Sequence, residues 1–225
     1  MRRLRRSIWR RRWLRSGKRS VNSHARGDGI PNIRENRLPR HFYQRDTLIV
    51  VRELLGKILV RRFEGELLSG RIVETEAYIG EDDPACHAAR GLTPRTRPMF
   101  GPPGKAYVYF IYGMYYCLNA VTEREGFPAA VLIRALEPLA GIETMSARRG
   151  SPRPTNLTNG PGKLCQAMAI DKSLNETSLQ GEDLYILDGP TLAAETIGSS
   201  PRIGIKVGTE NPWRFFEKAN PFVSK

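Results

Sequence analysis

The apolar residues just before position 56 follow the period of an α-helix. Spacings of three and four residues relate Leu48, Val51, Leu54 and Leu55. Residues at these spacings share one helix face. Asp46 stands where an N-cap is expected, and Gly56 follows where a left-handed residue often ends a helix. The pattern therefore predicts a short helix over residues 47–55.

Most other apolar segments are short and rich in β-branched and aromatic residues, which is typical of strands. Strands are predicted over residues 57–63, 67–79, 106–111, 115–121, 131–135, 184–187 and 203–207. Tyr112-Gly113-Met114 separates two of them and predicts a hairpin. Further helices are predicted over 138–148, where Pro138 suits a first turn, and over 162–169. This order predicts a single α+β domain with a curved, mostly antiparallel sheet flanked by helices and a protruding β-hairpin.

Positive charge is concentrated at the start of the chain. The formal net charge is +13, and residues 1–30 hold eleven Lys or Arg and one acid, which leaves only +3 for residues 31–225. Such a composition predicts a disordered basic arm over residues 1–40, followed by one ordered domain over residues 41–225. An arm of this charge attracts any polyanion, and its Arg-rich, acid-poor sequence also fits an organelle transit peptide.

Cysteine usage and hydropathy narrow the class of protein. Cys86, Cys117 and Cys165 are widely spaced and form no CxxC pair, which argues against a disulfide framework or a zinc ribbon and indicates a reducing compartment. The sequence has no apolar run of about 18 residues and no continuous apolar segment of a secretory signal. We therefore expect a protein that is neither secreted nor inserted into a membrane.

Two carboxylates stand on the longest predicted strand. Side chains alternate across a strand, so Glu74, Glu76 and Tyr78 share one face, with the carboxylates about 7 Å apart. Alternation alone is typical of a strand face exposed to water. The long loop over residues 80–104 changes that interpretation, because loops of this length usually carry function and this one brings His87.

Tyrosine is dense in the predicted hairpin, at Tyr107, Tyr109, Tyr112, Tyr115 and Tyr116. These rings can pack as ordinary strand residues, or they can form a stacking surface for nucleobases. Tyr112 directly precedes Gly113 at the tip, so its ring should project into solvent. A core residue is unusual in that position, whereas a wedge between base pairs suits it.

These segments lie in longer blocks that resemble the alkyladenine (3-methyladenine) DNA glycosylase family. The blocks are GRIVETEAY at 70–78, Glu81-Asp82 with His87, Thr93-Pro94-Arg95, YVYFIYGM at 107–114 with Asn119, LIRALEP at 132–138, and GKLCQA at 162–167. The resemblance runs from about residue 42 onward, in order and at matching spacing. It implies a fold like that of the C-terminal domain of formyltransferases.

The resemblance implies a monofunctional glycosylase that hydrolyses the N-glycosidic bond of damaged purines and so starts base excision repair. Glu76 matches the general base that activates water, and Arg134 matches an arginine that helps to hold this water. Ile205 matches a position whose backbone lies near the water. No lysine stands beside Glu76 on its strand, so we expect no Schiff base. Lys163 is expected to contact phosphate or a carboxylate.

The resemblance also implies the residues that hold the damaged nucleotide. Tyr78, His87 and Tyr109 match the aromatic pocket for a purine flipped out of the duplex. Asn119 matches an amide that discourages unmodified guanine. Tyr112 matches the residue that fills the gap left in the duplex. Flipping is needed because the reacting bond is out of reach within stacked DNA.

The partner implied is double-stranded DNA that carries alkylated or deaminated purines, the class of 3-methyladenine, 7-methylguanine, hypoxanthine and ethenoadenine. No metal and no other cofactor is expected, and the enzyme is expected to act as a monomer. A cytoplasmic location with the nucleoid, or another DNA-containing compartment, follows from this partner. The basic arm is expected to add non-specific affinity for DNA.

Two other functions fit the residues taken without the resemblance. The first is a metal-dependent hydrolase, with ligands drawn from Glu74, Glu76, Asp82, Asp83 and His87. Activity that survives excess chelator would exclude it. The second is a nucleic-acid-binding module without catalysis. Glu76→Gln distinguishes these functions: a variant that still binds lesion-bearing DNA but releases no base would exclude the module without catalysis.

Overall fold

The computed structural model describes residues 36–224, and its first elements are two short helices, α1 (Arg40–Tyr43) and α2 (Thr47–Glu53). The Asp46 side chain accepts hydrogen bonds from the backbone N–H groups of Leu48 and Ile49. It thereby satisfies two of the donors that a helix start leaves unpaired. The predicted N-cap is confirmed, although the helix ends somewhat earlier than predicted.

The described residues contain eight strands. They are β1 (Ile58–Phe63), β2 (Glu66–Ile79), β3 (Ala106–Ile111), β4 (Tyr115–Val121), β5 (Ala129–Ala140), β6 (Leu184–Leu187), β7 (Ile197–Ser200) and β8 (Arg214–Glu217). All pairings are antiparallel, in the order β3-β4-β5-β2-β1-β6, with β8 pairing both β2 and β7. The predicted α+β class and antiparallel sheet are confirmed, whereas the likeness to a formyltransferase domain stays a prediction.

Strand β2 has more partners than its neighbours. It pairs with β5 along most of its length, with β1 in its first half and with β8 in its second half. The second half carries Glu74 and Glu76, whose register partners in β8 are Phe216 and Arg214. Both glutamates are fully buried. The pairing of β2 with β8 therefore covers the segment that carries the two carboxylates.

The predicted helix over 138–148 begins too early. Pro138 lies inside β5, and the helix α3 covers Ile142–Arg149. Pro138 pairs with Gly70 directly beside a register shift of the β2–β5 ladder, where a residue without a backbone N–H is tolerated. Gly141, with a φ of 72°, then turns the chain from the strand into the helix.

The predicted strand over 203–207 is wrong. This stretch has no strand in the structure, and Gly204 and Gly208 on either side of it have φ angles of 78° and 64°. Such left-handed backbone interrupts strand geometry. The backbone N–H of Ile203 donates to a side chain of β2 instead of joining a ladder. By contrast, the hairpin, the helix α4 (Pro161–Ala167) and β6 are confirmed.

Two groups of apolar residues form the core. The larger one joins the sheet to the helices and includes Tyr43, Leu54, Ile133 and Leu164. The smaller one lies under the loop after β2, where Tyr78 and Tyr109 pack against buried residues. The rings of the predicted pocket therefore rest on a packed base. No helix within residues 36–224 is long and apolar enough to cross a membrane.

The predicted basic arm lies largely outside the described residues, and its disorder stays a prediction. The compact unit begins at Arg37. Leu38 is buried, and its backbone N–H donates to the carbonyl oxygen of Ile186 at 2.9 Å. Packing of the main unit therefore starts a few residues before His41, where the sequence places the first ordered residue.

Replacing the N-cap should destabilise the fold. We expect Asp46→Ala to lower the free energy of unfolding by about 1 kcal/mol, because two helix N–H groups lose their acceptor. Urea denaturation followed by circular dichroism measures the change. Asp46→Asn keeps a capping oxygen and serves as the control, with a loss of a few tenths of that value. Equal losses in both variants would contradict the capping role.

Candidate active site

A cleft of about 940 Å³ opens between the loop after β2, the β3–β4 hairpin and the segment after β7. Its walls bring together residues that are distant in sequence. Among the residues that line it are Tyr78, His87, Tyr109, Tyr112, Asn119, Arg134 and Ile205. The structure thus gathers the predicted site residues at one cleft, while Glu76 is fully buried and in contact with three of its lining residues.

The Glu76 carboxylate accepts three hydrogen bonds. Its Oε2 accepts from the Tyr78 hydroxyl at 2.9 Å and from Arg134 Nη1 at 3.2 Å. Its Oε1 accepts from the backbone N–H of Ile203 at 2.7 Å. The last contact has no counterpart in the sequence prediction, which singles out Ile205, because a main-chain donor leaves no side-chain signal. Ile205 itself lies in the wall of the cleft.

The surroundings of Glu76 act on its basicity in opposite directions. Burial raises the pKa of Glu76, whereas Arg134, the Ile203 N–H and the Tyr78 hydroxyl lower it, with burial dominant. Burial and the charge of Glu76 also raise the pKa of Tyr78, so this phenol stays protonated and donates. A carboxylate with a raised pKa binds a proton more tightly than an ordinary one, which suits a general base.

Arg134 joins the two carboxylates of β2. Its Nε donates to Glu74 Oε1 at 3.0 Å, while its Nη1 reaches Glu76. The shared face predicted for the two glutamates is therefore confirmed. Burial lowers the pKa of Arg134, but the two glutamates outweigh burial and leave it raised. The guanidinium is consequently a permanent positive charge between them.

The Glu74 carboxylate accepts four hydrogen bonds. Arg214 Nε donates to its Oε1 at 2.7 Å, in addition to Arg134. The hydroxyl of Ser224 donates to the same oxygen, and the backbone N–H of Ser224 donates to Oε2, both at 2.7 Å. Sequence reasoning missed Arg214 and Ser224, because they lie far from Glu74 along the chain. The structure thus distinguishes Glu74, held by two arginines, from Glu76, which is bound by three residues that line the cleft.

Aromatic rings form one wall of the cleft. The ring centroids of His87 and Tyr109 lie 4.5 Å apart at an edge-to-face angle, and His87 Nδ1 lies 2.9 Å from the Tyr107 hydroxyl. Burial lowers the pKa of His87 to about 4, and the charges of Arg95 and Arg90 add to this effect. The imidazole is therefore neutral at neutral pH.

The amide of Asn119 is fixed from behind. Asn119 is buried on β4, and its Nδ2 donates to the carbonyl oxygen of Tyr107 at 3.0 Å. One N–H of the amide is thus used by the hairpin itself. Asn119 also lines the cleft, so its position there is set by the hairpin.

The tip of the hairpin exposes a large ring. Tyr112 is 74% exposed, and Met114 and Tyr115 beside it are exposed as well. Tyr112 and Gly113 have φ angles of 55° and 68°, the signs that a type I′ turn needs at its two central residues. The predicted projection of Tyr112 into solvent is confirmed.

Lys163 lies in the cleft at the start of α4. Its Nζ donates to the side-chain oxygens of Asn156 at 2.9 Å and Asn159 at 3.0 Å. The sequence predicts a phosphate or a carboxylate as the contact of this cation. Within the protein the contacts are instead two neutral amides.

Two carboxylates of the alternative metal site, those of Glu74 and Asp83, are held by arginines. Asp83 forms an ion pair with Arg202, and Glu74 forms ion pairs with two arginines. Within residues 36–224, no group of three His, Cys, Asp or Glu residues lies close enough to hold a metal ion.

Known proteins resemble this chain over most of its length. The family model described as methylpurine-DNA glycosylase matches residues 41–221. A protein of Methanocella arvoryzae is 56% identical over 84% of this chain and 96% of its own length. A protein of Chlorobaculum parvum is 53% identical over 84% of this chain and 90% of its own length. One of Carboxydothermus hydrogenoformans is 54% identical over 84% of this chain and 98% of its own length. Each carries the name "Putative 3-methyladenine DNA glycosylase".

The neutrality of His87 can be measured by NMR. We expect its ring signals to titrate near pH 4 in the folded protein, because burial disfavours the imidazolium. In urea the same signals should titrate near the ordinary value of about 6.5. The folded state then binds this proton less readily, so its contribution to stability is lost as the pH falls from about 6.5 towards 4. Titration near 6.5 in the folded protein would contradict the described pocket.

Proposed function

The chain belongs to the methylpurine-DNA glycosylase family, and we propose that, as a DNA-3-methyladenine glycosylase, it flips damaged purines out of double-stranded DNA and hydrolyses their N-glycosidic bond, with Glu76 as the general base. The observation that carries this proposal is the buried Glu76 carboxylate, held by Tyr78, Arg134 and the Ile203 N–H at a ring-lined cleft. Cleavage of an N-glycosidic bond builds positive charge on the sugar, as in glycoside hydrolysis. A carboxylate at that point stabilises the charge and accepts a proton from water.

The reaction balances without a cofactor. The bond between C1′ of the sugar and the purine nitrogen breaks, and its electron pair leaves with the base. The oxygen of a water molecule bonds to C1′, and the proton that it loses passes to Glu76. Because the Glu76 carboxylate must be ionised to accept this proton, the rate should fall as the pH drops through the pKa of Glu76. Burial raises this pKa above its ordinary value.

The neutral His87 ring suits a positively charged purine. Alkylation at N3 or N7 leaves the base cationic and makes it a good leaving group. A cation over an aromatic face gains about 1 kcal/mol or more once water is excluded. Tyr78, His87 and Tyr109 supply such faces, and the low pKa of His87 avoids repulsion between two cations. We propose Asn119 as the group that disfavours unmodified guanine, since its amide is held in place by the hairpin.

Lesions without a positive charge, such as hypoxanthine and ethenoadenine, form the outer part of the proposed substrate range. Their departure needs a proton that cationic purines do not require. The proposed mechanism is monofunctional, because β2 carries no lysine beside Glu76. Of the two lysines that line the cleft, Lys163 and Lys206, the first donates to the amides of Asn156 and Asn159. We further propose that the enzyme acts as a monomer in a DNA-containing compartment.

Tyr112 is the proposed wedge. An exposed ring on a tight turn can enter the base stack where the damaged nucleotide has left, and the cost of unstacking is a few kcal/mol. Met114 and Tyr115 extend the apolar surface of the same tip. The turn holds the ring in solvent, and Tyr112 also lines the cleft.

Neutralising the base should abolish excision while leaving DNA binding intact. We expect Glu76→Gln to slow the single-turnover release of 3-methyladenine from methylated duplex DNA by about 100-fold or more, because an amide cannot accept the proton. Mobility shift with lesion-bearing DNA measures binding. Glu53→Gln alters an exposed glutamate outside the cleft and is the control, with the parent rate expected. Release by Glu76→Gln at the parent rate would refute the proposed mechanism.

Removing the wedge should impair excision mainly in duplex DNA. We expect Tyr112→Ala to slow excision from duplex DNA by about tenfold, because the gap in the stack is no longer filled. Single-stranded substrate requires no wedge and should be affected much less. Tyr112→Phe keeps the ring and is the matched control, with a rate close to that of the parent. Equal losses on both substrates would show that Tyr112 acts in some other way.

A further inference from the structure

A second buried ion pair lies beside the one at Glu76. Arg202 donates through Nη1 to Asp83 Oδ2 at 2.5 Å and through Nη2 to Asp83 Oδ1 at 2.7 Å. Both side chains are essentially inaccessible to solvent. A two-pronged pair at this depth is geometrically specific, since the planar guanidinium matches the carboxylate in only a few orientations.

The pair joins two of the segments that line the cleft. Asp83 belongs to the loop that carries His87, and its carboxylate also accepts from the backbone N–H groups of Ile79 and Ala85. Arg202 belongs to the segment after β7 that carries Ile203 and Ile205. The guanidinium further donates to the carbonyl oxygen of Gly208, so it binds the far end of its own segment.

The same arginine fixes the segment to β2. Arg202 Nη1 donates to the carbonyl oxygen of Ala77 at 2.9 Å, and its guanidinium lies 4.8 Å from the Tyr78 ring centroid. Ala77 directly follows Glu76, and Ile203 directly follows Arg202. The side chain of one residue and the backbone N–H of the next therefore bind adjacent positions of β2.

The segment after β7 is not held against β2 by the hydrogen bonds of a strand ladder. Residues 201–208 form no strand in the described structure, and Gly204 and Gly208 allow the backbone other conformations. The position of the Ile203 N–H on Glu76 thus depends on side-chain contacts of its neighbour. Those contacts are the ones that Arg202 makes with Asp83, Ala77 and Gly208.

We propose that Asp83 and Arg202 are positioning residues for base excision, which hold the Ile203 N–H on Glu76 and thereby orient the carboxylate; this inference rests on the proposed role of Glu76. Neither side chain lines the cleft. Their effect passes through one backbone hydrogen bond and through the placement of the His87 loop.

A role in positioning differs from a role in general stability by its effect on the pH profile. The Ile203 N–H lowers the pKa of Glu76, so its loss should move the acid limb of the rate to higher pH. The charged and titratable groups around Glu76 are Glu74 and Tyr78 on β2, Cys117 on β4, Arg134 on β5, Arg214 on β8 and Arg202 itself. A variant that preserves the charge of Arg202 leaves this electrostatic environment nearly unchanged.

The test is Arg202→Lys, which keeps the positive charge but cannot make all contacts of the guanidinium. Single-turnover release of 3-methyladenine from methylated duplex DNA is measured from pH 5 to pH 9. We expect the acid limb of the pH–rate profile to shift to higher pH by about one unit. This shift slows release about tenfold near pH 6 and less at pH 8. Arg71→Lys alters an arginine paired with Glu137 and Glu217 and is the matched control, with an unchanged limb.

Each other outcome overturns the inference. An unchanged acid limb, or a loss of rate that is equal at every pH, would give the pair a structural role only. If circular dichroism shows that Arg202→Lys is unfolded, Asp83→Glu replaces it, because that variant also preserves charge. Unfolding of both would make the pair a stability element. Glu76→Gln distinguishes failure of this inference from failure of the proposed function. If Glu76→Gln released 3-methyladenine at the parent rate, the mechanism itself would be refuted, whatever the pH profile of Arg202→Lys.

Discussion

A buried arginine between two buried glutamates is the interaction on which the rest of the site depends. Arg134 binds Glu74 and Glu76 at once, and neither carboxylate reaches solvent. Desolvation of a single charge costs several kcal/mol, so each carboxylate needs further donors. The pairing of β2 with β8 supplies Arg214 to Glu74, and the segment after β7 supplies the Ile203 N–H to Glu76. The topology around β2 thus supplies the donors that stabilise the two buried carboxylates.

The cleft retains features that do not favour stability. Tyr112 has positive φ and an exposed ring, and such backbone strain costs about 1 kcal/mol or more in a residue other than glycine. The burial that raises the pKa of Glu76 disfavours its ionised form. Both costs lie at the cleft, where the proposed function uses an exposed ring and a strong base. The packed layer under Tyr78 and Tyr109 supports these features.

Local chemistry made part of this structure predictable. Asp46 and the Tyr112-Gly113 turn act through neighbours in sequence, so the helix start and the hairpin follow from the residues alone. Pro138 could not be placed in the same way, because its tolerance in β5 depends on a register shift against another strand. The contact of Ile203 with Glu76 is made by a backbone group across 127 residues. The pattern of side chains along the sequence cannot predict such a contact, because any residue other than proline can supply the N–H. The family resemblance indicates Ile205 instead.

The most direct test of the role of Glu76 is to titrate its carboxyl group by carbon-13 NMR and to compare the result with the pH dependence of excision. The central claim is that this buried carboxylate is the group whose ionisation permits the reaction. We predict a pKa above the ordinary value for glutamate, coincident with the acid limb of the single-turnover rate. A Glu76 carboxyl group that stays ionised throughout the pH range in which the rate falls would contradict the claim.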